Sequence, residues 1–153
     1  MSEPKAFRMP SWIGEHVKLY QRDPEKAHLW DSTLGGNKGG GLIPTLLLTT
    51  KGRKSGATHL TPLIYAKTGK AFAVIASKGG DPKHPAWYLN LSQNPDVEIQ
   101  VGKDHYHAKA RTANPAERKQ LWAQMAKLYP PYDAYQARAG GREIPVVVLE
   151  PRS

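Results

Sequence analysis

The chain has 153 residues, 39% of them hydrophobic, no cysteine and a formal charge of +9. That length supports one domain with its own core, and the lack of thiols excludes a disulfide framework, thiol catalysis and thiolate metal sites. No apolar run is long enough to span a membrane and no signal-peptide pattern opens the chain, so cytoplasmic residence is expected.

Trp12, Ile13, His16, Val17 and Tyr20 recur at helical spacing, with Lys18 and Arg22 off that face. They predict an amphipathic helix over 11–22, halted near Pro24 and resumed toward Trp30. Two readings stand for it: a helix packed across the domain, or a basic element that covers substrate or lies peripherally on the inner face of a membrane. Gly35 to Gly41 reads as a flexible connector. It has no strand before it and no helix after it, so it is not a dinucleotide fingerprint. Residues 1–41 form an N-terminal helical segment with this connector, and 42–153 form the main domain.

Pro44–Thr50 and Ala57–Lys67 are strand-like, joined by the turn Lys51-Gly-Arg-Lys-Ser-Gly56. Thr68-Gly-Lys70 turns the chain into a third strand, Ala71–Ala76. A short helix runs from Pro85 to about Gln93. Asp96–Val101 alternates Val97, Ile99 and Val101 with polar neighbours, as a half-buried strand does. It turns at Gly102 into His105–Thr112. Asn114-Pro-Ala-Glu117 starts a helix that carries Leu121, Trp122, Met125 and Leu128 on one face, broken by Tyr129-Pro-Pro-Tyr132. Ile144–Leu149 is the last strand. Tight turns imply antiparallel pairing, and six strands at this spacing favour a small barrel with flanking helices, mainly β.

The charge of +9 admits nucleic acid, an anionic membrane or a polyanionic small molecule as partner. No nucleic-acid module is readable, and the cations gather in loops between strands. The turn with Lys51, Arg53, Lys54 and Ser55, and the loop Ser77-Lys-Gly-Gly80 that runs into a Pro-started helix, each combine hydroxyl, cation and glycine. Such loops suit a ligand with separated anionic groups, and the glycines let backbone approach it closely. The first is not a Walker A loop, because a strand follows it. His105 and His107 share a strand face without a third ligand, so no metal is expected. No serine sits in a nucleophile elbow and no carboxylates pair. Loops for a polyanion beside Trp87, Tyr88, Tyr129, Tyr132 and Tyr135 suit a redox heterocycle that carries the chemistry itself.

Leu47 to Gly56, Thr61-Pro-Leu63, Ala76-Ser-Lys-Gly-Gly80, His84-Pro-Ala-Trp-Tyr-Leu-Asn90, Asn94-Pro-Asp-Val97, Tyr129-Pro-Pro-Tyr132 and Ile144-Pro-Val-Val146 together resemble the deazaflavin-dependent nitroreductase family. These are split β-barrel oxidoreductases of actinobacteria that bind coenzyme F420. The resemblance implies a hydride transfer from reduced F420 to a quinone, an activated alkene or a nitroaromatic. It puts Arg53, Lys54 and Ser55 on the cofactor's acidic tail. His59, Leu60, Thr61, Pro62, Leu63 and Ile64 then follow the ring and ribityl chain. Ile75, Ala76, Ser77 and Lys78 form the next strip, and Ala86, Trp87, Tyr88, Leu89 and Asn90 close it. Tyr132 is placed against cofactor and acceptor as the catalytic donor, with Tyr129 and Tyr135 lining the acceptor pocket. An F420-sequestering protein and an FMN-binding split-barrel reductase are the rival readings. The many cations favour deazaflavin, whose glutamate tail adds carboxylates to a phosphate. Monomer and homodimer both accord with the sequence.

Overall fold

A computed structural model describes residues 11–35, 37 and 41–152. Most of the glycine connector lies outside the described residues, as do the contacts of Trp12. Helix α1 (Ser11–Arg22) leads to α2 (Pro24–Ala27), which is capped by the Asp23 carboxylate accepting the Lys26 N–H. The expected continuation to Trp30 ends at His28. There the chain becomes strand β1 (Leu29–Asp31), because Trp30 pairs with Ile43 in a neighbouring strand.

That neighbour is β2 (Leu42–Lys51), followed by β3 (Thr58–Ile64), β4 (Ala66–Thr68) and β5 (Ala71–Ile75). Then come α3 (Ala86–Gln93), β6 (Asp96–Val101) and β7 (Asp104–Thr112). Helices α4 (Pro115–Leu128) and α5 (Pro131–Arg138) precede β8 (Val146–Pro151). The strands form an antiparallel sheet in the order β1-β2-β6-β7-β8-β5-β4, with β3 added to β2. Curled on itself, it makes a half-barrel with flanking helices.

Among the described residues eight strands replace the expected six, for two reasons. β1 is too short to show a period. The run Ala57–Lys67 breaks at Tyr65, after which the chain leaves β2 and pairs with β5 instead.

The apolar runs follow from burial on both faces. In β8, Val146 and Val148 face a core shared with α4 and α5, while Val147 and Leu149 face the barrel interior. β5 divides likewise, with Ala73 and Ile75 on one side and Phe72 and Val74 on the other. Continuous hydrophobic strands are the expected consequence. β6 buries Val97 and Ile99 and presents Asp96 and Glu98 to solvent, so it alternates.

The apolar face of α1 lies against the sheet. Tyr20 is fully buried, donates its hydroxyl to Thr45 O at 2.5 Å and accepts the Gly102 N–H at 3.1 Å. Burial raises its pKa to about 12. This face is therefore covered by protein, and the membrane-surface reading of the helix finds no support. Among the described residues no helix is long and apolar enough to cross a membrane.

Candidate active site

The β2–β3 turn is closed by its own backbone: Gly52 N–H donates to Ala57 O and Gly56 N–H to Gly52 O. Ser55 Oγ accepts the Ala57 N–H at 3.1 Å. Arg53, Lys54 and Ser55 are thereby displayed on the surface. Asn90, only 2% exposed, reaches this turn from α3. Its Oδ1 accepts both the backbone N–H of Arg53 (3.2 Å) and the guanidinium Nη1–H (3.0 Å). A buried amide from one element thus orients a surface cation from another.

Past β5, residues 78–80 form one 3-10 turn in which Lys78 adopts φ +47°. Gly80, at φ +84°, lies so close to α5 that a Cβ there would come within 2.7 Å of Tyr135 O. At Gly80 the close approach is to a helix backbone. It sets the Lys78 loop beside the tyrosines of α5.

Arg53, Lys78, Pro82, Lys83, His84, Ala86, Leu89 and Arg142 line one open cleft of about 520 Å³. The lining carries four permanently cationic side chains and no carboxylate. Of the residues expected in the site, Arg53, Lys78, Ala86 and Leu89 meet here, with Asn90 behind them. Lys54, Ser55 and the β3 segment His59 to Ile64 stand outside this lining. His59 is exposed and Leu60 to Ile64 are half-buried along β3. Leu63 packs toward the barrel core, and Ile64 toward the core under α4 and α5.

Ile75, Ala76 and Trp87 are core residues, 3%, 0% and 8% exposed. Trp87 faces the barrel interior because α3 presents Ala86 and Leu89 to the cleft on its other side. Tyr88 meets Thr112 Oγ1 at 3.0 Å through its hydroxyl, and its ring lies 4.8 Å from that of His84. Ser77 contributes its carbonyl, accepting from Arg142 Nη2 at 2.8 Å.

The tyrosines form one cluster. Tyr129 and Tyr132 rings are 4.9 Å apart, Tyr132 and Tyr135 rings 6.1 Å, and the Tyr129 and Tyr135 hydroxyls meet at 3.1 Å. Tyr129 and Tyr132 are buried, and only Tyr135 is partly exposed. Burial pushes the Tyr132 and Tyr129 hydroxyls above the ordinary phenol range, so both remain protonated. Tyr-Pro-Pro-Tyr does not merely break a helix; the second proline starts α5, where Tyr132 and Tyr135 sit one turn apart.

Sequence reasoning missed Arg142, Lys83 and the site role of His84. Arg142 follows Gly140 and Gly141, both at positive φ, and that glycine pair was the available signal.

These features make a cleft rich in cations, whose Lys78 loop packs beside an aromatic cluster. The model of the F420H(2)-dependent quinone reductase family matches residues 15–151. The chain belongs to that family. An F420H(2)-dependent quinone reductase of Mycobacterium tuberculosis is 38% identical over 150 residues, covering 92% of this chain and 97% of its own. Among solved structures, the F420-H2 dependent reductase FDR-A is 42% identical with a TM-score of 0.65, covering 70% of this chain and 94% of that one. Another, described as a domain-swapped dimer, is 35% identical with a TM-score of 0.65, covering 91% and 97%. The split-barrel fold agrees with these neighbours, and membership assigns coenzyme F420 as the cofactor of this F420H(2)-dependent reductase. The cleft fits such a molecule: Arg53, Lys78 and Lys83 suit its acidic groups, and Pro82, Ala86 and Leu89 offer apolar surface.

Proposed function

We propose that the protein reduces a quinone with F420H2, holding the cofactor's phosphate and glutamate tail on Arg53, Lys78 and Lys83. The observation that carries this reading is a cleft lining with four cations and no carboxylate, reached by a buried Asn90 that fixes Arg53. When bound, reduced F420 supplies the hydride. The chain's own residues orient the ligand, wall off water and provide a hydrogen-bond donor to the acceptor oxygen, where negative charge develops. Quinone plus hydride plus one proton gives the quinol, so a proton is required but no enzymatic nucleophile. Activated alkenes and nitroaromatics, the other acceptors considered, make the same demand.

The tyrosine cluster supplies the wall. Tyr132 was the expected donor, but its ring lies within the core. Tyr135, partly exposed and bonded to the Tyr129 hydroxyl, is proposed to meet the acceptor while Tyr132 shapes the wall beneath it. Gly80's contact with Tyr135 ties that donor to the Lys78 loop. The 35% identical domain-swapped dimer supports a homodimer for this chain as well, which light scattering would test.

The functional test is a fluorescence titration of purified protein with F420 and with FMN, followed by F420H2 oxidation in the presence of menadione. Tighter F420 binding and menadione-dependent oxidation are expected. Binding without turnover would replace the reductase by a sequestering protein. Preference for FMN would overturn the cofactor assignment of this cleft.

A further inference from the structure

Arg142 lies in the loop before β8, and its guanidinium makes five contacts. Nε donates to Asp81 O at 3.0 Å, and Nη2 to Asp81 O at 2.7 Å and Ser77 O at 2.8 Å. Nη1 donates to Ala76 O at 3.0 Å and lies 3.1 Å from His84 Nδ1. The backbone of Arg142 is fixed too: its N–H donates to Ala139 O, and Gln136 Nε2 donates to its carbonyl at 2.7 Å. One side chain therefore ties together both ends of the loop that carries Lys78, Lys83 and His84.

The contact with His84 has a chemical consequence. A guanidinium has donors only and keeps its proton at any relevant pH. His84 Nδ1 must therefore be the acceptor, which places the ring's single proton on Nε2. Protonating the ring would set an Nδ1–H against an N–H of Arg142. The groups around His84 point the same way: Arg142 contacts it from the β8 side, the neutral Tyr88 ring lies against it from α3, and Arg53, Lys78 and Lys83 share its cleft lining. Asp81 turns its carbonyl to Arg142 and its carboxylate to the Lys83 N–H. Burial, and then Arg142, lower the His84 pKa, in agreement with this geometry.

We propose that Arg142 is a positioning residue that holds His84 as a neutral, single-tautomer Nε2–H donor to an oxygen of the cofactor in the cleft. Every other polar side chain of that lining is a permanent cation. His84 is the lining's neutral donor, suited to an uncharged carbonyl or hydroxyl oxygen that a cation would bind less selectively. This inference rests on the assignment of the cleft to F420.

Histidine side-chain ¹⁵N spectra of the full chain without cofactor, with His84 assigned by its loss in His84→Gln, test the tautomer directly. The expected spectrum is Nε2–H at neutral pH with a titration midpoint below the ordinary imidazole value of about 6.5, while Arg142→Gln moves the midpoint up toward it. An Nδ1–H tautomer, or an ordinary midpoint in the native chain, overturns the proposal. F420 titrations complete the test. His84→Gln, which keeps a neutral donor, should stay within about threefold of native affinity, and His84→Leu should lose about tenfold. Equal affinities for the Gln and Leu variants overturn the donor role. Arg53→Ala separates the two levels: if it too binds F420 normally, the cleft assignment itself fails, and not the His84 inference alone.

Discussion

Asn90 offers the sharpest test of how the cleft is built, because two substitutions there divide orientation from charge. In Asn90→Asp the retained Oδ1 still accepts from Arg53 N–H and Nη1–H at about the native distances of 3.2 and 3.0 Å. The lost Nδ2 donor made only a 3.5 Å contact with Thr50 Oγ1, whose hydroxyl can donate to a carboxylate instead. Stability should therefore change little. Anion binding should change strongly. The new charge sits about 3 Å from the guanidinium, hence roughly 6–7 Å from any phosphate that Arg53 holds. At an effective dielectric of about 20 the repulsion is on the order of 2 kcal/mol, or about 30-fold in affinity. Asn90→Leu does the reverse: it leaves the Arg53 N–H without its acceptor, at a stability cost of about 1–3 kcal/mol. Fluorescence titration with F420 and thermal melts of the same samples give both quantities. If Asn90→Asp binds F420 within about threefold of native, the anion does not lie on Arg53 and the orientation of the ligand in the cleft is wrong.

Removing cations one at a time should grade with position. Arg53→Ala should weaken F420 binding more than tenfold, while Lys54→Ala, outside the cleft lining, should cost about threefold and vanish at high salt; equal effects would refute the ranking. Tyr135→Phe should lower kcat with menadione by about tenfold at unchanged F420 affinity, whereas Tyr132→Phe should keep most activity. Tyr132→Ala should instead destabilise by about 3–5 kcal/mol through the cavity it leaves, and a large kcat loss in Tyr132→Phe would restore Tyr132 as the donor. His16, buried and within 2.9 Å of Ala27 O through Nε2, has a pKa lowered by burial. Below about pH 6.5 the unfolded chain binds the extra proton more readily, so stability should fall with pH, by at most about 1.4 kcal/mol per pH unit for this histidine. A melting temperature independent of pH from 7 to 5 in the native chain, and equal to that of His16→Gln, would count against it.

The parts of the fold legible in the sequence were those set by local chemistry. Asn114 does cap α4 by accepting the Glu117 N–H, and the alternation in Asp96–Val101 does mark a half-buried strand. β1 was not legible, since three residues show no period and only pairing with Leu42–Pro44 defines it. The break at Tyr65 was hidden for a related reason: β-propensity runs through it, and only the switch from β2 to β5 reveals two strands. At the site, glycines and cations announced both loops. Which way α3 turns was not announced, so the sequence left Trp87 open between a cofactor contact and a core anchor, and its ring packs in the barrel core. Arg142 was silent because its importance lies in carbonyls contributed by residues about 60 positions away.

The charge of +9 acquires meaning only when its cations are sorted by partner. Arg111 is held by both oxygens of Glu117 at 2.6 and 2.8 Å, with Glu150 at 3.3 Å, and Arg152 pairs with Asp96. Such exposed pairs add little to stability, but they cancel charge locally. The second concavity, of about 480 Å³, shows the result: Arg152 and Asp96 lie in the same lining with His105 and His107. It has no net preference for an anion. In the cleft of Arg53, Lys78, Lys83 and Arg142 no carboxylate belongs to the lining; the Asp81 carboxylate beside Arg142 offsets part of its charge, and three cations outnumber it. A net positive field therefore converges on one volume of the surface. Two concavities of similar size thus differ in what they can hold, and the difference is how far the bases of the lining outnumber the acids beside them.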